Sequence, residues 1–501
     1  MRRRTFLSLA GAGAGAAVLL GRQRRAAADT FGAFPDGTQS VQLADGVRAK
    51  RVLEIFLYGG LSQWETLYFV RNYGLASDSM YPNQQFYAFA SENASAMSAC
   101  GDPDQPRVFG SDSNGASVEL GPFANRLWAR QDLVSRMRIV VQRHDLEPHE
   151  AAVPQALTGR PVGQPTAAGL GTHIQRARLD AGLTPDRASP YSYVFATGGI
   201  TSDNIAAAVA VGAHPGAARP LMIKTDNATA LQDLLQRPTV GANRATNDAL
   251  VQAYVDQYDA RLTWPGQGRV RSPRSDDMAV AFTTTTKVDA IRAVLPPLTI
   301  KSASACGQSD PDIPLAGIGA AAKLLTHPTE PASYVCVSDV GLYEASGGGG
   351  YDTHTDNARD TATNFDNMLQ SLLAVINGPG ETDPTKLSLD DTLIILNTEF
   401  GRTPTPQDGT NGRNHHPYGY ATAFIGGPIT SAQKGIFGAI GPDGVADMDY
   451  AVPAQNRIAA LLALGIWPFA EEGFAVSDSP GSVTELDAAT AAMMAYLGRT
   501  S

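Results

Sequence analysis

Thr392-Leu393-Ile394-Ile395-Leu396-Asn397 is followed at once by Thr398-Glu399-Phe400-Gly401-Arg402-Thr403-Pro404. A short apolar run bounded by turn-forming residues is the signature of a strand buried on both faces. Five further runs share its character: Arg51–Leu57, ending at Tyr58-Gly59-Gly60, Arg138–Gln142, ending just before His144, Tyr191–Ala196, Ser333–Val337, and Ala421–Ile425, ending at Gly426-Gly427. Stretches with helical periodicity separate them, the longest over Thr355–Ile376. This alternation predicts an α/β fold, a mostly parallel central sheet with helices on both faces. Two segments break it. Residues 72–122 are polar, aromatic and glycine-rich and read as an irregular insertion. Residues 215–330 carry helical patterns at Ala228–Leu235, Asn247–Leu262, Lys287–Leu295 and Ala316–Leu325, and read as a mostly helical insertion. The main domain therefore spans 51–501, preceded by a linker over 29–50.

The chain opens with Arg2-Arg3-Arg4-Thr5-Phe6-Leu7, then a weakly apolar Ala/Gly stretch to Leu20, then Arg22, Arg24 and Arg25 before Ala26-Ala27-Ala28. The stretch is too short and bland to span a bilayer. The order resembles a bacterial twin-arginine signal over 1–28, read through Arg3-Arg4 and cut after Ala28. It implies the twin-arginine translocase as a partner and a periplasmic or extracellular destination. Without these residues 33 basic groups face 49 acidic ones, a net charge of −16 against −10 for the whole chain. An acidic surface disfavours nucleic acid and anionic membrane as partners. No later segment has the length and apolarity for stable membrane insertion. The three cysteines, Cys100, Cys306 and Cys336, form neither a disulfide framework nor a metal-ligand spacing.

Ligands of open α/β sheets collect beyond the carboxyl ends of the strands. Four strands end there in chemically able residues. Gly59-Gly60-Leu61-Ser62-Gln63-Trp64-Glu65-Thr66 brings Glu65, alternatively a solvated turn residue. His144-Asp145-Leu146-Glu147-Pro148-His149-Glu150 brings two histidines, with Pro148 placing His149 at a helix start. Tyr351-Asp352-Thr353-His354 suits a divalent cation; capping of the next helix accounts for Asp352 but leaves His354 unexplained. Glu399 needs a cation or hydrogen bonds at the end of a buried strand, and Arg402 is one candidate partner. Gly412-Arg413-Asn414-His415-His416-Pro417 adds two histidines. Five of only eight histidines fall in these clusters, which points to a shared metal site.

Asn397-Thr-Glu-Phe-Gly-Arg-Thr-Pro404 with Gly412-Arg-Asn-His-His-Pro417, Gly350-Tyr-Asp-Thr-His354 and Gly59-Gly-x-Ser-x-x-Glu-Thr66 resemble, in order, the blocks of the exported bacterial family called domain of unknown function 1501. That family is similar to the alkaline phosphatase and sulfatase superfamily. The resemblance implies one or two divalent ions (zinc, manganese, calcium or iron). It implies Glu65, Asp352, His354, Glu399 and His415 or His416 as their ligands. His149 falls where the superfamily has its nucleophile, and is a nucleophile, a ligand or an acid/base. Arg402 or Arg413 would clamp anionic oxygens. Phe400 stands in place of a metal histidine, and the sulfatase Cys/Ser-x-Pro-x-Arg motif is absent. Two functions follow: an exported metal-dependent hydrolase of a phosphate or sulfate ester, small-molecule or polymeric, or a catalytically degenerate binding or assembly protein on the same scaffold.

Overall fold

The computed structural model describes residues 31–71, 73, 107–163, 168–181, 192–197, 220–225, 243–264, 268–269, 302–305, 308–311, 313–329, 331–341, 350–407, 412–470 and 473–499. The signal at 1–28, the helical patterns at 228–235 and 287–295, and Cys100 and Cys306 lie outside them. Cys336 is a buried free thiol.

The central sheet has eight strands. In chain order they are β1 (Arg51–Leu57), β2 (Met137–Gln142), β3 (Ser192–Thr197), β4 (Leu221–Thr225), β5 (Tyr334–Asp339), β6 (Thr392–Asn397), β7 (Tyr420–Gly426) and β8 (Gly435–Phe437). Across the sheet the order is β8-β2-β7-β6-β1-β5-β3-β4. All pairings are parallel except those of β7, which runs against both β6 and β2. The connection explains the exception. A crossover helix is needed to bring a chain back parallel, but β6 leads to β7 through a two-stranded ribbon, Gly401–Pro406 against Arg413–His416.

Among the described residues the helices of eight or more residues are α1 (His149–Thr158), α2 (Leu170–Asp180), α3 (Arg244–Leu262), α4 (Ile313–Leu325), α5 (Asn357–Ala374), α6 (Pro453–Ala463) and α7 (Glu485–Ala492). On one face of the sheet Leu53, Ile55, Val335, Val337, Ile394 and Leu396 pack with Ile318 and Leu325 of α4 and Phe365, Met368 and Leu372 of α5. On the other, Val52, Phe56, Cys336, Leu393 and Ile395 pack with Val153 of α1, Ile174 of α2, Ile458 and Leu461 of α6, and Ala488 of α7. Burial on both faces is why the strand runs are apolar without alternation. Glu54 is the exception in β1. Its carboxylate accepts from Arg457 Nη1 at 2.7 and 2.9 Å, from Tyr334 Oη at 2.6 Å and from Asn397 Nδ2 at 2.9 Å, so the buried charge is paired and hydrogen-bonded.

Two segments differ from their sequence reading. The stretch over 29–50 is more than a linker where it is described, since Phe31, Val41 and Leu43 are buried in the α6 face of the core. Within the described part of 215–330, expected to be mostly helical, α3 and α4 fall on two of the expected patterns, and β4 forms the sheet edge beside β3. Its apolar Leu221-Met222-Ile223 pairs in parallel with Tyr193-Val194-Phe195 of β3 and so extends the sheet. The described part of 72–122 includes a small hairpin, Val108–Ser111 with Ser117–Glu119. Among the described residues no helix is long and apolar enough to cross a membrane.

Candidate metal centre

The carboxyl ends of β1, β2, β5 and β6 meet at one point, and the ribbon after β6 folds over it. The chain leaves β1 through Gly59 and Gly60, both at positive φ (+111° and +90°). A Cβ on Gly59 would lie 2.1 Å from the Asp352 nitrogen, and one on Gly60 would lie 2.6 Å from the Phe400 ring. Only glycine allows both the conformation and this approach. The backbone N–H of Tyr351 donates to the Tyr58 carbonyl at 2.7 Å, which fixes the Asp352 loop across the end of β1.

Asp352 is the hub. It is 2% exposed, and its Oδ1 accepts from Arg402 Nη2 at 2.6 Å. The same oxygen lies 3.0 Å from His354 Nε2 and 3.2 Å from His415 Nε2, while Oδ2 lies 3.5 Å from His149 Nε2. Each histidine has its other nitrogen engaged. His149 Nδ1–H donates to Glu399 Oε1 at 2.9 Å, His354 Nδ1–H to Gln407 Oε1 at 2.9 Å, and His415 Nδ1–H to the Glu147 carbonyl at 3.0 Å. Fixing Nδ1 as the donor turns the Nε2 lone pairs toward Asp352. Nε2 of His354 and His415 are 3.0 Å apart, and His149 Nε2 is buried without a hydrogen bond. Unprotonated imidazole nitrogens converging on a carboxylate repel one another unless a proton or metal ion lies among them. Donor atoms of His149, Asp352 and His415 all lie within 4.8 Å of one another.

The electrostatics agree with a site that attracts positive charge. Burial would raise the Asp352 pKa, but His149, His354, His415 and Arg402 hold it far below the carboxylate range. Burial would lower that of His149, but Asp352 and Glu399 outweigh it and push it up to about 9. His415 is lowered, chiefly by burial. Glu399, fully buried, also accepts from the Gly59 N–H at 2.8 Å, so its carboxylate is fixed behind His149. A carboxylate orienting a histidine whose second nitrogen faces a cation is the usual outer-shell support of a metal ligand. The Phe400 ring is buried against this group, 4.9 Å from the His149 ring and 4.5 Å from that of His415, with Tyr58 5.1 Å from His149. Phe400 thus supplies an apolar wall.

The structure brings His149, Asp352, His354, Glu399 and His415 together and leaves Glu65 and His416 out. Glu65 Oε1 accepts from Arg413 Nε at 3.0 Å and Nη2 at 2.7 Å, and Ser62 Oγ donates to Oε2. His416 Nε2–H donates to the Gly444 carbonyl at 2.8 Å, since neighbouring residues of a strand face opposite ways. Arg402 is fully buried and pairs with Asp352 rather than Glu399; it also donates to the Gly60 carbonyl at 3.1 Å, the Arg413 carbonyl at 3.0 Å and the Gly59 carbonyl. Neither does Asp352 cap α5: that helix starts at Asn357, and the position before it is Asp356, the one non-glycine at positive φ (46°) among the described residues. Sequence reasoning did not single out Gln407 or the Glu147 carbonyl as partners of the histidines. A backbone acceptor leaves no trace in a sequence. His144 supports the backbone: its Nδ1 accepts from the Leu146 N–H at 3.0 Å and its Nε2–H donates to the Glu399 carbonyl at 2.6 Å.

No curated protein and no solved structure is matched by the chain. Residues 337–489, which carry Asp352, His354, Glu399 and His415 but not His149, match the model of a family described as protein of unknown function (DUF1501).

Proposed function

We propose that this chain is a metal-dependent hydrolase that holds a divalent cation at His149, Asp352 and His415, with His354 as a further ligand. One observation carries the reading: three histidines donate from Nδ1 to fixed acceptors and aim Nε2 at a single buried carboxylate. A bound divalent ion would polarise a substrate oxygen and acidify a bound water. Glu399 holds the His149 imidazole in its ligand orientation, Arg402 holds Asp352, and Phe400 and Tyr58 keep water from one side. The central location, at the strand ends beside β1, is where sheets of this type place their sites. It is also where the alkaline phosphatase and sulfatase superfamily has its metals, and we extend the resemblance of fold to this chain on that basis. With Arg3-Arg4 at the start of the sequence, we place the protein outside the cytoplasm, delivered by the twin-arginine route.

Elemental mass spectrometry of the purified protein tests the reading. Near-stoichiometric zinc, manganese, calcium or iron, lost in His149→Ala and in His415→Ala, supports it. A folded wild-type protein that takes up none of these ions defeats it. The second reading, a binding or assembly protein on this scaffold, draws on Phe400 standing where a further ligand would complete a second metal site. Under it a metal is retained but no phosphate or sulfate ester is turned over, and a stoichiometric partner co-purifies.

A further inference from the structure

Resting on the metal-centre reading, we infer that the ligand reaching His149, Asp352 and His415 is uncharged or cationic, and that the mouth of the site turns phosphate and sulfate groups away. The first argument is the fate of the arginines. Recognition of a tetrahedral anion calls for a guanidinium or ammonium with donors to offer. Arg402 and Arg413 are both fully buried, and their donors are taken up inside the fold. Arg402 serves Asp352 and three carbonyls; Arg413 serves Glu65, the Thr403 carbonyl at 2.8 Å and the Pro404 carbonyl at 2.6 Å.

The second argument is the sign of the rim. The segment that delivers His149 exposes Asp145, Glu147 and Glu150. None of them has an ion-pair partner among the described residues. Glu147 sits directly at the centre, because its own carbonyl orients His415, and Tyr418 Oη donates to its Oε1 at 3.0 Å. The cations of the neighbouring loops are engaged: Arg143 with the Ala446 carbonyl at 2.7 Å and Asp447 at 3.8 Å, Arg359 with Asp360 at 2.9 Å and Asp356 at 3.3 Å. Among the described residues, a dianion approaching from this side meets exposed like charges and no guanidinium left to receive it, which is specificity by repulsion.

The test is calorimetric titration of the full chain, with its metal content measured on the same sample, using inorganic phosphate and imidazole as probes. Wild type is compared with Glu147→Gln/Glu150→Gln, which keeps the Glu147 carbonyl and an acceptor for Tyr418. The expected result is imidazole binding unchanged by the substitutions, and phosphate binding that is weaker than imidazole in wild type and strengthens at least about threefold in the variant. Phosphate binding tighter than imidazole in wild type, unchanged by the substitutions, overturns the inference. Protein that takes up no metal defeats the metal centre instead, and the phosphate comparison on that metal-free protein still decides the sign of the mouth.

Discussion

Glu399→Gln separates the two jobs assigned to Glu399, orienting His149 and loading it with a proton. The substituted amide keeps an oxygen 2.9 Å from Nδ1 and so keeps an acceptor, but the charge is gone. In the metal-free wild type His149 titrates at about 9, because Asp352 and Glu399 outweigh its burial. Metal binding at pH 7 must therefore displace a proton, and the apparent affinity lies about 100-fold below its limiting value. It should rise about tenfold per pH unit between 7 and 9 and then level off. Loss of an outer-shell carboxylate lowers metal affinity by about 10–100-fold. In Glu399→Gln that loss appears in full above pH 9. At pH 7 it is smaller, because the weaker base no longer holds the competing proton, so the pH dependence flattens. Competition with a chromogenic chelator across pH 6.5–10 reads both effects. A variant with the wild-type affinity and the wild-type slope would refute the role of Glu399 behind His149.

The remaining predictions concern stability and ligand identity. His415→Ala should abolish metal uptake while His416→Ala leaves it intact by elemental analysis, since His416 is tied to Gly444. Arg402→Met should destabilise the fold by about 3–5 kcal/mol in urea unfolding, because it strips Asp352 of its buried cation. Gly59→Ala should cost about 1–3 kcal/mol from its positive φ alone and displace Asp352 besides, seen as lower stability with reduced metal uptake. The His149 pKa, raised from 6.5 to about 9, stabilises the metal-free fold in full below pH 6.5, and this contribution of about 3 kcal/mol disappears as the pH rises through 9. Thermal melting should show that decline without metal and not with it.

His173 moves stability in the opposite direction, which makes it a control on that pH experiment. It is fully buried between Phe31 and Phe474, and burial, aided by Arg160, depresses its pKa to about 3. The unfolded chain then binds more protons than the folded one between pH 6.5 and 3. In the metal-free protein His173 alone should cost about 1.4 kcal/mol per pH unit as the pH falls through that window, and His173→Phe should reduce the measured slope by that share.

The framework was legible because it rests on local composition. Six apolar runs between turn residues gave strands β1, β2, β3, β5, β6 and β7 to within a residue or two at either end, and the histidine clusters fell at the ends of parallel strands. The direction of β7 was not legible, because it depends on a ribbon replacing a helix, and both connections are polar and glycine-bearing in sequence. Burial also decides which charged residues reach the site, and a motif does not report burial. Glu65, Arg402 and Arg413 look like functional groups when read along the chain. Folded, Glu65 and Arg413 neutralise each other in the interior, and Arg402 neutralises the hub of the site from behind. The three histidines, together with Arg402, keep Asp352 ionised at 2% exposure, with its second oxygen left for His149. A carboxylate already balanced by one fixed cation has less charge to give a metal. If a metal binds as proposed, the three histidines would supply donor atoms rather than charge, and a divalent ion here would keep more net charge than two or three carboxylates would leave. On the proposed reading that charge would acidify a bound water, and Arg402, which touches only Asp352 and backbone, would set how much of it remains.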